Sequence, residues 1–194
     1  MKKTRFIFEN NQTPCAGGFL LSDPFMGDAY FERSVVYLCQ YDKDGVFGLV
    51  LNNAMELHLS DVLENCPFAN YPLFVGGPVA KNQLFFLHNL GMKIAHSLPC
   101  GKEVYFSGDF DSLVAFCKHE NQTNIKLKFF VGYSGWEEGQ LEQEIENHSW
   151  IAVNNLSEDL IFATETKDFW KTCMDAQGAK FKIIARFPKN PNDN

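Results

Sequence analysis

The chain has 194 residues, of which 45% are hydrophobic and 21% charged, and its formal net charge is −7. This composition excludes a disordered chain and favours one globular domain or two small, closely packed ones. Because a phosphate backbone is normally bound by clustered Lys and Arg, the negative charge disfavours direct nucleic-acid binding.

The N-terminal part of the chain predicts a short strand followed by a hairpin. Residues 17–24 form an apolar run that ends at Ser-Asp-Pro, which is typical of a buried strand leading into a turn. The β-branched run at residues 34–41 and the apolar run at 46–52 flank the turn sequence DKDG. We therefore expect these two runs to pair as an antiparallel hairpin.

Between residues 59 and 109 the pattern alternates between a short helix and several strands. Residues 59–65 predict a helix with Ser60 as its N-cap. Strands are predicted at 72–79, at 83–89 and at 104–109.

The second half of the chain mixes helices with strands. Predicted elements are a helix at 109–119 capped by Asp109 or Asp111, a strand at 126–134, a helix at 138–147, a strand at 149–154, a turn or helical piece at 157–161 and a helix at 168–177 closed by Gly178.

Strands outnumber helices, and the early hairpin favours antiparallel pairing. The sequence thus predicts an α+β fold: a single compact domain at residues 15–187 with a mixed, largely antiparallel curved sheet and a few packed helices. Residues 1–14 are expected to form a lead-in segment and residues 188–194 a flexible tail.

Cysteine usage and hydropathy favour a cytoplasmic protein without cofactors. The six cysteines are scattered, and no C-x-x-C pair occurs, so zinc-ribbon and thioredoxin-like classes lose their main support. Cys39, Cys117 and Cys173 lie in apolar or amphipathic runs and are expected to be buried. The N-terminal apolar run is limited to Phe6–Phe8, and no segment approaches the ~18 apolar residues of a membrane span.

Lys126 and Lys128 are the best linear candidates for a basic surface. They alternate with Ile125, Leu127 and Phe129, so the simplest interpretation is the solvent-facing side of a strand. Contact with nucleic acid is the weaker alternative.

Three local patterns are candidates for a catalytic site, a phosphate-binding loop and a metal site. Ser134 stands in G-Y-S-G-W, which does not match G-x-S-x-G, and a base for it would have to be the distant His88. The pair Gly76 and Gly77 precedes Pro78, which removes an N–H that a phosphate loop would need, so close backbone approach is the favoured explanation. Glu144 and His148 are four apart, but no second pair completes a metal site.

The loop containing Asp23, Asp28, Glu32 and Arg33 lies between two predicted strands. Its carboxylates are expected to cap turns, with ligand binding and an internal contact with Arg33 as alternatives.

The most distinctive stretch is FVGYSGWEEGQLEQEI, residues 130–145. Gly132 and Gly135 are expected to allow a sharp turn from strand to helix. Tyr133 and Trp136 suit a boundary between core and solvent, with the indole of Trp136 exposed or half-exposed.

On the helix that follows, Leu141 and Ile145 are four apart and are predicted to face inward. Gln140 and Glu144 form a neighbouring stripe that ends near Trp136. This patch could bind a peptide, a polar ligand or a subunit, or could fix the helix on the sheet.

The string GYSGWEEGQLEQEIENHSW resembles the YqgE/AlgH family of bacterial proteins, also called UPF0301 or DUF179. The strings GGFLLSDPFMGDAYFERSVVYL, GVFGLVLN, FVGGPV, LFFLH and EVYFSGDFDSL also resemble this family, so the similarity spans residues 16–187. The family often has Asn-Arg-Pro after the second strand, whereas here Asn52 is followed by Asn53 and Ala54. Gln40 and Tyr41 stand where a histidine is common.

The resemblance implies an α+β fold, no established enzymatic activity, and members described as regulators of transcription. The leading hypothesis is a non-catalytic cytoplasmic protein that binds a protein partner or a small polar ligand. Alternatives are a direct DNA-binding regulator and a hydrolase using Ser134 with His88. The candidate binding residues are Asp23, Asp28, Arg33, Asn52, Gly76, Gly77, Tyr133, Trp136, Gln140 and Glu144.

Overall fold

The computed structural model describes residues 12–64, 67–119 and 124–188. The strands are β1 (Phe19–Ser22), β2 (Val35–Asp42), β3 (Gly45–Val50), β4 (Ala54–His58), β5 (Pro72–Val75), β6 (Val79–His88), β7 (Leu98–Pro99), β8 (Tyr105–Phe106), β9 (Leu127–Trp136) and β10 (Trp150–Val153). The helices are α1 (Phe110–His119), α2 (Gln140–Glu146), α3 (Phe169–Asp175) and α4 (Ala179–Ile184). Short 3-10 turns lie at Leu59–Asp61, Gly91–Lys93 and Glu158–Phe162.

All ten strands belong to one sheet, whose main order is β10-β1-β2-β3-β9-β6-β8-β7. The strand β5 pairs in parallel with β9, and β4 pairs with β5; every other described pairing is antiparallel. The predicted α+β fold with a mixed, largely antiparallel sheet is therefore confirmed. Within the described residues, no helix is long and apolar enough to cross a membrane.

The predicted hairpin is present as β2 and β3. Asp42 pairs with Gly45 at its end, and the carboxylate of Asp42 accepts the N–H of Asp44 at 2.8 Å. Gly45 has φ +144°, a conformation that side-chain-bearing residues rarely adopt. The local turn chemistry explains why this element could be predicted.

A three-residue segment, Gly76-Gly77-Pro78, crosses the strand β9. The strand β5 ends opposite Val131 on one edge of β9, and β6 begins opposite Tyr133 on the other edge. A Cβ on Gly76 would lie 2.2 Å from the carbonyl oxygen of Gly132, and one on Gly77 would lie 2.3 Å from the carbonyl carbon of Tyr133. The backbones touch directly, so the expected close approach at Gly76 and Gly77 is confirmed.

The expected sharp turn at Gly132 and Gly135 is wrong, because β9 continues to Trp136. The strand β3 pairs with residues 134–136 of β9, and this pairing keeps the backbone extended at Gly135. Gly132 is needed for the crossing instead: its φ is +72°, and a Cβ there would lie 2.6 Å from the carbonyl oxygen of Gly77. The turn into α2 lies at Gly139, which has φ +75°.

The sheet carries three apolar clusters. The largest lies under α3 and α4 and includes Tyr37, Phe74, Phe130 and Trp170. A second cluster, under α2, is formed by Leu20, Leu38, Val50, Trp136, Leu141 and Trp150, among others. A third, under α1, includes Leu73, Phe86, Leu113 and Phe129. Both faces of the central strand β9 are therefore covered.

This coverage overturns the prediction that Lys128 faces solvent. Lys128 is only 2% exposed, and its Nζ donates to the carbonyl oxygen of Ala163 at 2.5 Å and lies 4.1 Å from the centroid of the Phe74 ring. Burial lowers the pKa of Lys128 to about 7. Lys126 does face solvent, where it forms a 2.6 Å ion pair with Asp159.

Several element boundaries also differ from those predicted. The expected helix at 59–65 is reduced to the 3-10 turn Leu59–Asp61, and its cap is not Ser60: Asp61 accepts the N–H of His58 at 2.7 Å. The strand β4 and the helix α4 were not predicted, since both are short. The predicted cap of α1 is confirmed, because Asp109 accepts the N–H of Ser112 at 2.6 Å.

The expected burial of Cys39, Cys117 and Cys173 is confirmed. Cys100 is also buried. Most of the predicted lead-in (residues 1–11) and of the predicted tail (residues 189–194) lies outside the described residues, as does Cys66.

Replacing Lys128 with Met should raise the free energy of unfolding at pH 7 by about 2–4 kcal/mol, because the desolvated amine is exchanged for an apolar side chain. The folded pKa is about 7 and the ordinary value 10.5, so the unfolded chain holds this proton more tightly between those pH values. The free energy of unfolding of the wild type should consequently rise with pH across this window. The difference in free energy of unfolding between Lys128→Met and the wild type should therefore become smaller. Urea unfolding between pH 6.5 and 9.5 measures both effects.

Lys126→Met is the matched control, because Lys126 is a nearby lysine, just before β9, that forms an exposed ion pair. Its effect on the free energy of unfolding should be small, because exposed ion pairs are screened by solvent. A destabilised Lys128→Met variant would contradict the assignment of Lys128 as a buried, poorly compensated amine.

Gly76→Ala should destabilise the protein by about 3 kcal/mol or more, or prevent folding, because its Cβ would overlap the Gly132 carbonyl group. Gly27→Ala provides the control, since a Cβ at Gly27 meets no atom within 4 Å. The two variants can be compared by thermal unfolding. Equal melting temperatures would show that the crossing is looser than described.

Candidate functional site

A cleft of about 610 Å³ opens beside the end of β9. Besides Trp136, four aromatic side chains from four strands line it: Phe47 from β3, Phe85 from β6, Phe106 from β8 and Tyr133 from β9. Each ring contacts the next, with centroid distances of 4.9 Å for Phe47–Phe106, 5.7 Å for Phe106–Phe85, 5.7 Å for Phe85–Tyr133 and 5.9 Å for Tyr133–Phe47. All four rings are only partly buried, so they present apolar surface to the cleft.

Gly135 keeps the floor of this cleft open. It lies opposite Phe47 in the β3–β9 ladder and is exposed. A Cβ here would lie 3.2 Å from Cε2 of Tyr133, and a larger side chain would project into the space beside that ring. The missing side chain thus preserves room for a ligand next to Tyr133.

The rim of the cleft is polar and negatively charged. Its charged residues are Asp44, in the β2–β3 turn, and Glu137, which follows β9. Gln140 is held in place, since its Oε1 accepts the N–H of Glu137 at 2.9 Å and its Nε2 donates to Glu144 at 2.9 Å. An adjoining depression of about 280 Å³ shares Gly45 and Val46 with the cleft.

Glu144 fixes the helix α2 to the sheet below it. One of its carboxylate oxygens accepts the indole N–H groups of Trp136 at 2.9 Å and Trp150 at 2.8 Å. Trp136 is only 7% exposed, so the expectation of an exposed or half-exposed indole is wrong: the ring packs against Leu141 and Trp150 in the cluster under α2. The Gln140–Glu144 stripe and the inward-facing Leu141 occur as predicted.

The loop from Asp23 to Arg33 does not contribute to the cleft. The carboxylates of Asp23 and Asp28 each accept the N–H two residues ahead, at 2.8 Å, so the predicted turn capping is confirmed. Arg33 donates to the carbonyl oxygen of Phe187 at 2.5 Å and lies 5.3 Å from the centroid of the Trp170 ring. Asn52 bridges the Arg33 carbonyl and the Val35 N–H.

Ser134 and His88 are not brought together. His88 pairs with Leu127 at the start of β9, and Ser134 lies seven residues further along the same strand, about 23 Å away at strand spacing. The hydroxyl of Ser134 donates to the Gly76 carbonyl at 3.0 Å, and Nε2 of His88 lies 2.9 Å from the Ser107 carbonyl oxygen. Burial lowers the pKa of His88. Both residues serve the internal hydrogen bonding of the sheet.

The structure brings only some of the predicted site residues together. Tyr133, Trp136 and Gln140 line the cleft, whereas Gly76 and Gly77 form the crossing that places the neighbouring strands. The remaining predicted residues, Asp23, Asp28, Arg33, Asn52 and Glu144, do not line the cleft. The sequence did not identify Phe47, Phe85 and Phe106, because they are far apart along the chain. In the part of the chain that the structure describes, no cluster of His, Cys, Asp and Glu could hold a metal ion.

Comparison with known proteins gives a consistent result. The family model described as DUF179, AlgH-like, matches residues 19–182. A UPF0301 protein of Parabacteroides distasonis is 38% identical over 187 residues, covering 95% of this chain and 94% of that protein. One of Cytophaga hutchinsonii is 38% identical over 179 residues, covering 92% and 98% of the two chains.

Two solved structures have the same fold. The solution structure of AlgH from Pseudomonas aeruginosa aligns with a TM-score of 0.71 at 26% identity and covers 89% of this chain and 94% of that one. A crystal structure of a Corynebacterium diphtheriae protein aligns with a TM-score of 0.74 at 20% identity, covering 91% and 94%.

Glu144→Ala should reduce the free energy of unfolding by about 2 kcal/mol or more, because two largely buried indole N–H groups lose their acceptor. Glu146→Ala is the matched control on the same helix, since Glu146 is exposed; its effect should stay within about 0.5 kcal/mol. Chemical denaturation followed by tryptophan fluorescence measures both variants. Equal stabilities would remove Glu144 from the attachment of α2.

Proposed function

The chain belongs to the AlgH-like family, and from this premise we propose that it is a non-catalytic binding protein whose aromatic cleft receives a protein segment or a small ligand. The observation that carries the proposal is the closed set of four partly exposed rings around an open concavity. Concave apolar surface bordered by a few polar groups is the usual composition of a ligand site.

The chemistry of the lining residues supports binding rather than catalysis. No Ser, Cys, His or Lys is among the residues that line the cleft. A Ser–His or Cys–His pair and a reactive lysine are therefore not available there, and the carboxylates of Asp44 and Glu137 act as acceptors at the rim. The aromatic rings supply contact area and shape, which serve affinity and selectivity.

The proposed role in the cell is regulation through binding to another protein in the cytoplasm. Direct contact with DNA is disfavoured at this site, because both charged side chains that line the cleft are negative and would repel phosphate groups. The net charge of −7 acts in the same direction.

Gly135→Val tests the proposal by filling the floor of the cleft without removing any ring. We expect aromatic and aliphatic-amine fragments to shift the amide resonances of Phe47, Phe85 and Tyr133 in wild-type protein at millimolar concentration. In Gly135→Val these shifts should fall at least about tenfold, since the added methyl groups occupy the space beside Tyr133. Two-dimensional NMR titration gives the measurement.

Gly27→Val is the control, because a side chain at Gly27 projects into open space away from the cleft. It should bind the same fragments as the wild type. Retained binding in Gly135→Val, or the absence of any fragment bound at the cleft, would contradict the proposed function.

A further inference from the structure

We infer that the occupant of the cleft is an arginine side chain carried by an extended segment of a partner protein. This inference rests on the proposed binding function and specifies its ligand. It is drawn from the charge of the lining residues, the geometry of the rings and the continuity of the cleft with the depression beside it.

The charge around the cleft is predominantly negative. Its two charged lining residues, Asp44 and Glu137, are both carboxylates, and no Lys, Arg or His lines it. The adjoining depression adds Asp42, Glu138 and Glu142 against a single cation, Lys43. Within the described ranges the one side-chain ion pair is Lys126–Asp159, on another part of the surface, so neither Asp44 nor Glu137 is held in an ion pair there.

Aromatic rings beside unpaired carboxylates select a flat cation. A cation over a ring face is attracted by the negative charge of the π-system, and this attraction grows as water is excluded. The guanidinium group of arginine stacks on a ring and at the same time offers a fork of N–H donors to a carboxylate. The Phe47 and Tyr133 rings with Glu137 provide both kinds of contact within one cleft.

The acceptors at the rim reinforce this selection. Gln140 has its carbonyl oxygen and one N–H engaged with Glu137 and Glu144, which holds its amide in a fixed orientation. Gln40 donates to Asp42 at 3.1 Å. Most of the remaining hydrogen-bonding groups at the rim are consequently carboxylate oxygens, which accept hydrogen bonds. A ligand rich in N–H donors can bind them, whereas a ligand rich in acceptors cannot.

The shape of the site favours a polypeptide over a free small cation. The cleft and the smaller depression share Gly45 and Val46 as lining residues, so they adjoin each other where the β2–β3 turn faces α2. A single guanidinium compound would fill only the aromatic part. A peptide that inserts its arginine between the rim and the rings can lay its neighbouring residues along the acidic depression.

The experiment compares seven-residue capped peptides by calorimetry and NMR titration against the full chain. One probe has the sequence Gly-Ser-Gly-Arg-Gly-Ser-Gly; the others replace its central residue with norleucine, which is uncharged, or with glutamate. Ethylguanidinium is the small-cation probe. We expect the arginine peptide to shift the amides of Phe47, Tyr133 and Glu137, and to bind about tenfold more tightly than the norleucine peptide. Its affinity should fall as salt is raised.

Charge variants assign the effect to the rim. Glu137→Gln and Asp44→Asn should each weaken binding of the arginine peptide severalfold and flatten its salt dependence, while leaving the norleucine peptide unaffected. Glu56→Gln is the matched control, because Glu56 is an exposed carboxylate on β4 that does not line the cleft. It should bind the arginine peptide as the wild type does.

The alternative outcomes separate this inference from the proposed function. Equal binding of the norleucine or glutamate peptide at the cleft would overturn the inference but leave a binding cleft in place. Ethylguanidinium binding as tightly as the arginine peptide would overturn the partner-protein source. If no peptide and no ethylguanidinium shifts the resonances of the cleft, and no fragment binds there either, both the arginine inference and the proposed binding function are wrong.

Discussion

The crossing of Gly76-Gly77-Pro78 over β9 is the constraint on which the rest of the structure depends. Because β5 and β6 lie on opposite edges of β9, the chain between them has to pass over the strand in three residues. Only glycine allows the two backbones to touch, because a Cβ on Gly76 would lie just 2.2 Å from the Gly132 carbonyl oxygen. Hydrogen bonds secure the junction: the Gly76 carbonyl accepts the Val50 N–H and the Ser134 hydroxyl, and its N–H donates to Val131.

This crossing also produces the cleft. It places β6 on one edge of β9 while β3 occupies the other edge further along, so Phe85, Tyr133 and Phe47 come side by side from three strands. Gly135 leaves a gap in the middle, and α2, attached through Glu144 to two indoles, adds Gln140 to the polar rim. The same glycine-rich stretch that builds the fold therefore also shapes the surface that we propose to be functional.

The sequence predicted the features that depend on local turn and capping preferences. Predictions from it were wrong where tertiary packing determines the burial of a side chain or the length of a strand. The β2–β3 hairpin and the Asp109 cap follow from short-range turn and capping preferences. The burial of Lys128 did not follow from its alternation with apolar residues, because both faces of β9 are covered and alternation then carries no information about exposure. The same tertiary pairing extends β9 through two glycines that suggested a turn. The site was half predicted: Tyr133, Trp136 and Gln140 lie in one stretch, whereas Phe47, Phe85 and Phe106 meet only through strand register.

The central claim is that the aromatic cleft is a binding site whose charge selects arginine. A crystal structure of the chain grown with the arginine peptide tests it most directly. We expect the guanidinium group to stack on the ring of Phe47 or Tyr133, with its N–H groups within hydrogen-bond distance of Glu137 or Asp44. A peptide bound at another surface, or in the cleft with its arginine pointing into solvent, would contradict it.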